Sequence, residues 1–456
     1  MWAAAGATSL AGATGAGAGR TVLFEAPDSS DQTAALQRVL DDLAHTGGGT
    51  LRLGGNCRAG VLVLRGRNVV VDGQGHKLQN ARLIVHASAR EFILRDLVMV
   101  DTTGRSDGYH LDISGRDGRL IDITLLKEPM AGGYQAYLRQ ESQGCVFQRL
   151  VLRGSNGIFV AGRNHIFEDF DFTSTLRSDM GGDDAFAIKG AGGITENITL
   201  RRGTVRGFAA AVSIGSEIGS HDDHPGPGLV RGVSASEIFA DRCQMLCFIK
   251  PGALIYDWRH GLVEDIVLTD LMLSDPEGFL FARGVAISAG RGARVRRVTG
   301  RNLRIAARAS TQGVMPTAAI DIVIRRDEPA AMIEEIDLEV AFQGGGARAW
   351  PVDWIVRVEK DDPAIGTIRD VTLRVKGSHA RIAGIYVGSN LDDAVTVTQA
   401  DLRQIGLDPP ATTGAAGIWA DSRVQVRQAN IDVVDVPQCG GRAVASLSLA
   451  ACAGGE

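Results

Sequence analysis

Hydrophobic residues in this chain recur in short runs rather than in long periodic stretches. One amphipathic helix is the exception. Leu36, Val39, Leu40 and Leu43 fall at i, i+3, i+4 and i+7 and form one apolar stripe. Ser29, followed three residues later by Gln32, reads as a capping box that starts it, and Gly47-Gly48-Gly49 as its stop. Beyond it, helical periodicity nearly vanishes. Runs such as Val61-Leu62-Val63-Leu64, Val69-Val70-Val71, Ile158-Phe159-Val160, Ile198-Thr199-Leu200, Val212-Ser213-Ile214, Ile320-Asp321-Ile322 and Ile431-Asp432-Val433 are separated by Gly, Asn, Asp or Arg.

Pairs of these runs return at roughly 20–30 residues, the period of a solenoid. Strands this short, with almost no helix, suit a right-handed, single-stranded parallel β-helix. In that all-β fold each coil buries its inward residues only by stacking on its neighbours. The helix through Leu36 and Leu43 would cap the open N-terminal end and shield a bare strand edge. A β-propeller would need four-stranded blades with a regular signature, and none is found. Two sandwiches would need a linker, and no Pro- or Ser-rich linker interrupts residues 50–400. The expected organisation is an Ala/Gly-rich arm over 1–20, a parallel β-helix over 21–410, and a last coil, cap or oligomerisation segment over 411–456.

Composition narrows the partners. The formal charge of −5 offers no basic field for nucleic acid and no cationic patch for a membrane surface. No apolar run approaches the roughly 18–20 residues that span a bilayer. Residues 1–20 have the small-residue content of a signal peptide but lack a basic n-region, so an attachment arm is the preferred reading. The six cysteines are too scattered for a zinc framework and read as buried small hydrophobes, with Cys439 and Cys452 able to close a terminal loop in an oxidising compartment. No cofactor and no metal are expected. Lysine occurs only at Lys77, Lys127, Lys189, Lys250, Lys360 and Lys376.

The chemistry concentrates at Gly181-Gly182-Asp183-Asp184-Ala185-Phe186-Ala187-Ile188-Lys189. Two adjacent carboxylates at the mouth of an apolar strand are what glycosidic-bond hydrolysis uses, one as acid and one to activate water. The competing reading is that they bind sugar hydroxyls or cap the turn through Asx-type bonds. Lys189 and Lys250 are candidate anion contacts. His221-Asp222-Asp223-His224 is a loop cluster suited to contacting sugar or a neighbouring subunit. Trp258, a few residues after Lys250, is either a stacking platform for a sugar ring or a packed rim residue. Trp350 and Trp354, flanking Pro351, read as cap or interface residues.

The segment Gly182 to Lys189, then Glu196-Asn197-Ile198-Thr199-Leu200, then Val212-Ser213-Ile214-Gly215-Ser216-Glu217, resembles the polygalacturonase-like glycoside hydrolases. These belong to the pectate-lyase-like (pectin-lyase-like) superfamily of parallel β-helices. The opening Asp31-Gln32-Thr33-Ala34-Ala35-Leu36-Gln37 and Gly47-Gly48-Gly49-Thr50-Leu51 resembles that of the superfamily, which includes bacteriophage tailspikes. The close match covers about residues 150–260.

Of the family's four motifs, one is whole. Gly182-Asp183-Asp184 is retained. Where the family has Asn-Thr-Asp-Gly, this chain has Gly154-Ser155-Asn156-Gly157, so a carboxylate has become Asn156. The Gly-His-Gly station falls on Phe208-Ala209-Ala210, and Arg-Ile-Lys has become Phe248-Ile249-Lys250. Base, imidazole relay and bidentate clamp are thus missing together. Asp179 is the best candidate for a replacement carboxylate.

The resemblance implies a polysaccharide-binding β-helix, acting on an acidic, capsular polymer, that recognises without cleaving. Its expected sugar contacts are Asn156, Asp183, Asp184, Lys189, Lys250, His221, His224 and Trp258. A spike or fibre of a phage-like particle, trimeric by analogy and attached through residues 1–20, fits this reading, as does a location on a virion surface or outside the cell. The alternative is an active inverting hydrolase using Asp183, Asp184 and Asp179, periplasmic or secreted. A polysaccharide lyase centred on Lys250 is a third.

Overall fold

The computed structural model describes residues 19–25, 30–104, 109–127, 133–175, 183–190, 192–215, 217–223, 226, 228–252, 258–274, 283–306, 318–324, 330–344, 352–360, 366–388, 391, 395–405, 416–420 and 424–433. Among them, thirty-one strands share one continuous sheet whose neighbours run parallel, and the chain winds as a right-handed parallel β-helix. The remaining pair, Gly219–Ser220 with Arg259–His260, is antiparallel.

The coil around residue 200 shows how the sequence makes the shape. Strand Ile194–Arg206 is folded twice, at Asn197 (φ 58) and Arg202 (φ 53), into segments 194–196, 198–201 and 203–206. Strand Ala210–Gly215 adds the fourth side. Thr195, Ile198, Leu200 and Val205 point inward. The first bend stacks in register through Asn164, Asn197 and Asp265, the second through Asp122, Arg149, Asp169 and Arg202, all at positive φ. A left-handed residue other than glycine costs roughly 1–2 kcal/mol. Asn and Asp tolerate it best, and the arginines are held there by the adjacent coil. Arg149 Nε lies 2.6 Å from Asp122, and Arg202 Nε 2.7 Å from Asp169. Asn197 donates to Asn164 Oδ1 at 2.9 Å across one turn of 33 residues.

Turn length varies more than the apolar runs suggest. Gln148 meets Glu168 after 20 residues, whereas Arg357 meets Asp321 after 36. The strands lengthen along the chain, from three residues in Ala136–Leu138 to twenty-one in Thr367–Val387.

Along the face that includes 194–196, charges alternate in direct register: Arg163, Glu196, Arg231, Glu264, Arg296, Glu334, Arg369. Arg231 Nε reaches Glu196 at 2.7 Å, Arg296 Nε reaches Glu264 at 2.8 Å and Arg369 Nε reaches Glu334 at 2.8 Å. Glu264 and Glu334 are buried between their arginines, and opposite charges face each other at every step. The arginine-rich composition is placed here.

The N-terminal end is closed by the helix Thr33–His45, with Leu36, Leu40 and Leu43 buried on the first coils and Val39 beside them. Ser29 lies outside the described residues. Gln32 turns its amide to Ser30 Oγ at 2.9 Å, and Asp31 Oδ1 accepts the Thr33 N–H at 2.8 Å. Past residue 410, strands Ala416–Ala420, Val424–Val426 and Ala429–Val433 stack on the preceding coil. Residues 1–18 and 434–456 lie outside the description, including Cys439 and Cys452. Cys57, Cys145, Cys243 and Cys247 are buried free thiols. Among the described residues no helix is long and apolar enough to cross a membrane.

The core beneath the acidic pair is aromatic. Phe147 stacks on Phe167 at 4.3 Å, and Phe186 packs against Phe167, Phe170 and Phe172. Gly203 makes room for this: a Cβ there would lie 2.0 Å from the Phe170 ring of the preceding coil. Gly203→Ala is therefore expected to lower the unfolding free energy by roughly 1–3 kcal/mol in urea denaturation. Gly55→Ala, where nothing lies within 4 Å, should change it by less than about 0.5 kcal/mol.

Candidate functional site

The side of the helix that begins with strands Leu111–Ile113, Ala136–Leu138, Ile158–Val160 and Phe186–Ile188 carries the acidic pair. Side chains alternate in and out along a strand, so each three-residue strand turns one central residue outward. Register stacks these into a file: Asp112, Tyr137, Phe159, Ala187, Ser213, Phe248.

Asp184 stands at the turn into Phe186–Ile188 and is only 4% exposed. Burial pushes its carboxyl up to about 6; the Asp183 charge adds to the rise, while Lys250, the adjacent Ser213 hydroxyl and Lys189 oppose it. Asp183, half-buried, accepts the Tyr134 hydroxyl at 3.0 Å on Oδ2. Burial and the charges of both aspartates drive the Tyr134 phenol far above its ordinary range, so it stays a donor.

Lys189 is buried, and its Nζ lies 2.8 Å from Glu217 Oε1. Its charge also sits 5.6 Å from the Tyr134 ring and 5.5 Å from the Phe159 ring. Lys250 Nζ lies 4.3 Å from the centre of the Phe248 ring. Glu217 is therefore a third carboxylate beside the pair, and its charge acts on Tyr134 and Tyr137. The sequence marked Glu217 as part of a motif without giving it a role.

At the stations where the resemblance implied a histidine and an arginine, the chain has Ala209 and Phe248. Ala209 donates its backbone N–H to Asp183 O at 3.1 Å, and Met245 donates to Ala209 O at 2.9 Å. Phe248 packs with Ala210, Met245 and Ala286 in a small apolar cluster outside the main core. Apolar side chains occupy both positions. Asn156 is buried one coil before the pair; Gly157 donates to Asp184 O at 3.0 Å, and Asn156 Oδ1 has no hydrogen-bond partner among the described residues. Asp179 and His224 lie outside the described residues. His221 is half-buried with its ring 5.1 Å from that of Trp258, which is itself buried. Among the described residues, no three His, Cys, Asp or Glu side chains converge as a metal site.

The feature that sequence reading missed is an aromatic shelf. Tyr109 meets Tyr137 at 5.0 Å, Tyr137 meets Phe159 at 5.5 Å, and Tyr134 meets Tyr137 at 5.8 Å. All four rings are half-buried. Arg82 sits 3.6 Å over Tyr109, and Arg139 sits 4.7 Å from Tyr137. Arg139 is locked by two 2.7 Å bonds to Asp112, which also accepts the Tyr109 hydroxyl at 2.9 Å. Tyr137, Arg139, Phe159 and Glu217 line a groove of ≈ 660 Å³. The available signal was composition: three of only five tyrosines fall between residues 109 and 137.

No family model matches the chain, and no curated protein matches its sequence. Solved structures do match. A variant of the tailspike protein of E. coli bacteriophage HK620 aligns with a TM-score of 0.61 at 13% identity, covering 89% of this chain and 72% of that one. Another variant, in complex with a pentasaccharide, gives 0.57 at 13% identity, covering 89% and 74%. A hyperthermoactive exopolygalacturonase from Thermotoga maritima gives 0.45 at 12% identity, covering 70% and 85%. At such identities the tailspike likeness establishes the fold, a right-handed parallel β-helix.

The raised Asp184 carboxyl makes a pH prediction. Its proton is held more tightly folded than unfolded, so its contribution is full below the ordinary value of 3.8 and is lost as pH rises through about 6. Asp184→Asn should remove that loss. Its denaturation midpoint relative to the parent should rise across this window, and a constant difference from pH 3.5 to 7.5 would contradict the assignment.

Proposed function

We propose that this protein binds a polysaccharide along the file of outward residues that contains the acidic pair, and that it recognises the polymer rather than cutting it. The aromatic shelf carries this reading. Half-buried rings in a row, each fixed by packing and flanked by guanidinium or carboxylate, match a sugar's apolar face and its hydroxyl rim. An acidic, capsular polymer is the proposed ligand, with Arg82 over Tyr109 and Lys250 beside Phe248 supplying positive charge. Asn156, Asp183, Asp184 and Lys189 are the proposed polar contacts, and His221, His224 and Trp258 the proposed rim.

The biological setting we propose is a spike or fibre of a phage-like particle, outside the cell or on a virion surface. It would be trimeric and attached through residues 1–20. The tailspike likeness, including the pentasaccharide complex, supports that setting. Against cleavage stand the replaced motif positions. Tyr137→Ala should weaken oligosaccharide affinity by about tenfold or more, a loss of roughly 1.4 kcal/mol, in calorimetric titration against a panel of acidic and neutral glycans. Reducing ends should stay constant over long incubation, and their steady release would overturn the non-cleaving reading.

One observation favours a second reading. Asp184 with a raised carboxyl, Asp183 held by Tyr134, and Glu217 opposite form a set of carboxyls in unlike environments, which is how acid and base roles are separated. If reducing ends are released, Asp184→Asn should cut turnover by about 100-fold or more with little change in affinity. Unchanged turnover would remove the pair from the chemistry.

A further inference from the structure

The outward file does not stop at the acidic pair. From Phe248 the register runs through Ala286 and Asp321 to Arg357, Tyr386 and Trp419. A second group of rings gathers at this end. Trp354 lies 5.4 Å from Tyr386 at 31°, and Tyr386 lies 6.2 Å from Trp419 at 79°. All three rings are half-buried.

Their surroundings repeat the design of the first shelf. Arg357 sits 5.3 Å from the Trp354 ring and is fixed by buried Asp321 through bonds of 2.7 and 3.0 Å. In the first shelf Arg139 and Asp112 do the same beside Tyr137. Glu359 lies 3.5 Å from Arg357 and accepts the Tyr386 hydroxyl at 3.4 Å. A clamped arginine beside an aromatic face, with a carboxylate on the rim, offers both a stacking surface and hydroxyl partners. A plain hydrophobic contact between protein copies would not need the ionic frame.

We propose that Trp354, Tyr386 and Trp419 form a second carbohydrate subsite that engages the same glycan chain as the Tyr137–Phe159 shelf. This rests on the polysaccharide-binding reading above and adds direction and length to it. Eight coils separate Phe159 from Trp419, about 38 Å at the ~4.8 Å spacing of paired strands. The glycan runs parallel to the helix axis, passes the acidic pair one coil beyond Phe159, and is held at both ends. Short fragments occupy one station. Fragments that span the distance occupy both, and the second contact becomes intramolecular.

The test is affinity as a function of chain length, measured by calorimetry with size-fractionated oligosaccharides of a polymer that the parent protein binds. Affinity should step up once fragments reach the spanning length. Trp419→Ala should remove that step, about tenfold, and leave short-fragment affinity unchanged, whereas Tyr137→Ala should weaken both. Glu359→Gln, which leaves the rings in place, should reduce the step severalfold and serves if Trp419→Ala does not fold. A parent protein with no length dependence overturns the proposal. So does a Trp419→Ala variant that changes only the oligomeric mass in light scattering, which would make this end a contact between copies. If the parent binds no glycan at any length, the underlying reading falls and this one with it.

Discussion

Register between successive coils is the constraint on which everything else depends. Each coil hydrogen-bonds to its neighbours along its strands, so a residue's position in one coil fixes which residues lie above and below it. The bends keep that register. Asn197 and Arg202 turn the chain at the same stations in coil after coil, and their side chains bond to Asn164 and Asp169 across the step. The fold thus converts sequence neighbours separated by a full turn into spatial neighbours, which is how Tyr109, Tyr137 and Phe159 become one surface.

That constraint also explains what the linear sequence could and could not reveal. The short apolar runs and the stripe through Leu36, Leu40 and Leu43 are local signals, and they indicate a capped solenoid directly. Asp183 and Asp184 are adjacent in sequence, so their pairing is visible at once. The bends at Arg149, Arg202 and Arg297 are not visible, because arginine has no intrinsic preference for positive φ. Its partner in each case sits about one turn away. Glu217 and Lys189 meet across 28 residues, and the Tyr134–Asp183 bond spans 49. No local pattern encodes such contacts.

The protonation of Asp184 follows from where it stands. Asp184 is almost fully buried, and Ala210, whose carbonyl accepts the Ala185 N–H, packs with Met245, Phe248 and Ala286 in an apolar cluster. Withdrawal from water raises the proton affinity of the Asp184 carboxyl. The pair lies one coil beyond Phe159, at the edge of the first shelf, where Asp183 accepts the Tyr134 hydroxyl. The first shelf and the Trp354–Tyr386–Trp419 group stand on one file of register positions, eight coils apart from Phe159 to Trp419.

The most direct test of this account is a crystal structure of the protein with a long oligosaccharide of a polymer it binds. The account predicts an extended glycan parallel to the helix axis, with sugar rings over Tyr137 and Phe159 and the intact glycosidic linkage passing Asp183. Glycan density on the Arg–Glu face that includes 194–196, or a cleaved product beside Asp184, would contradict it.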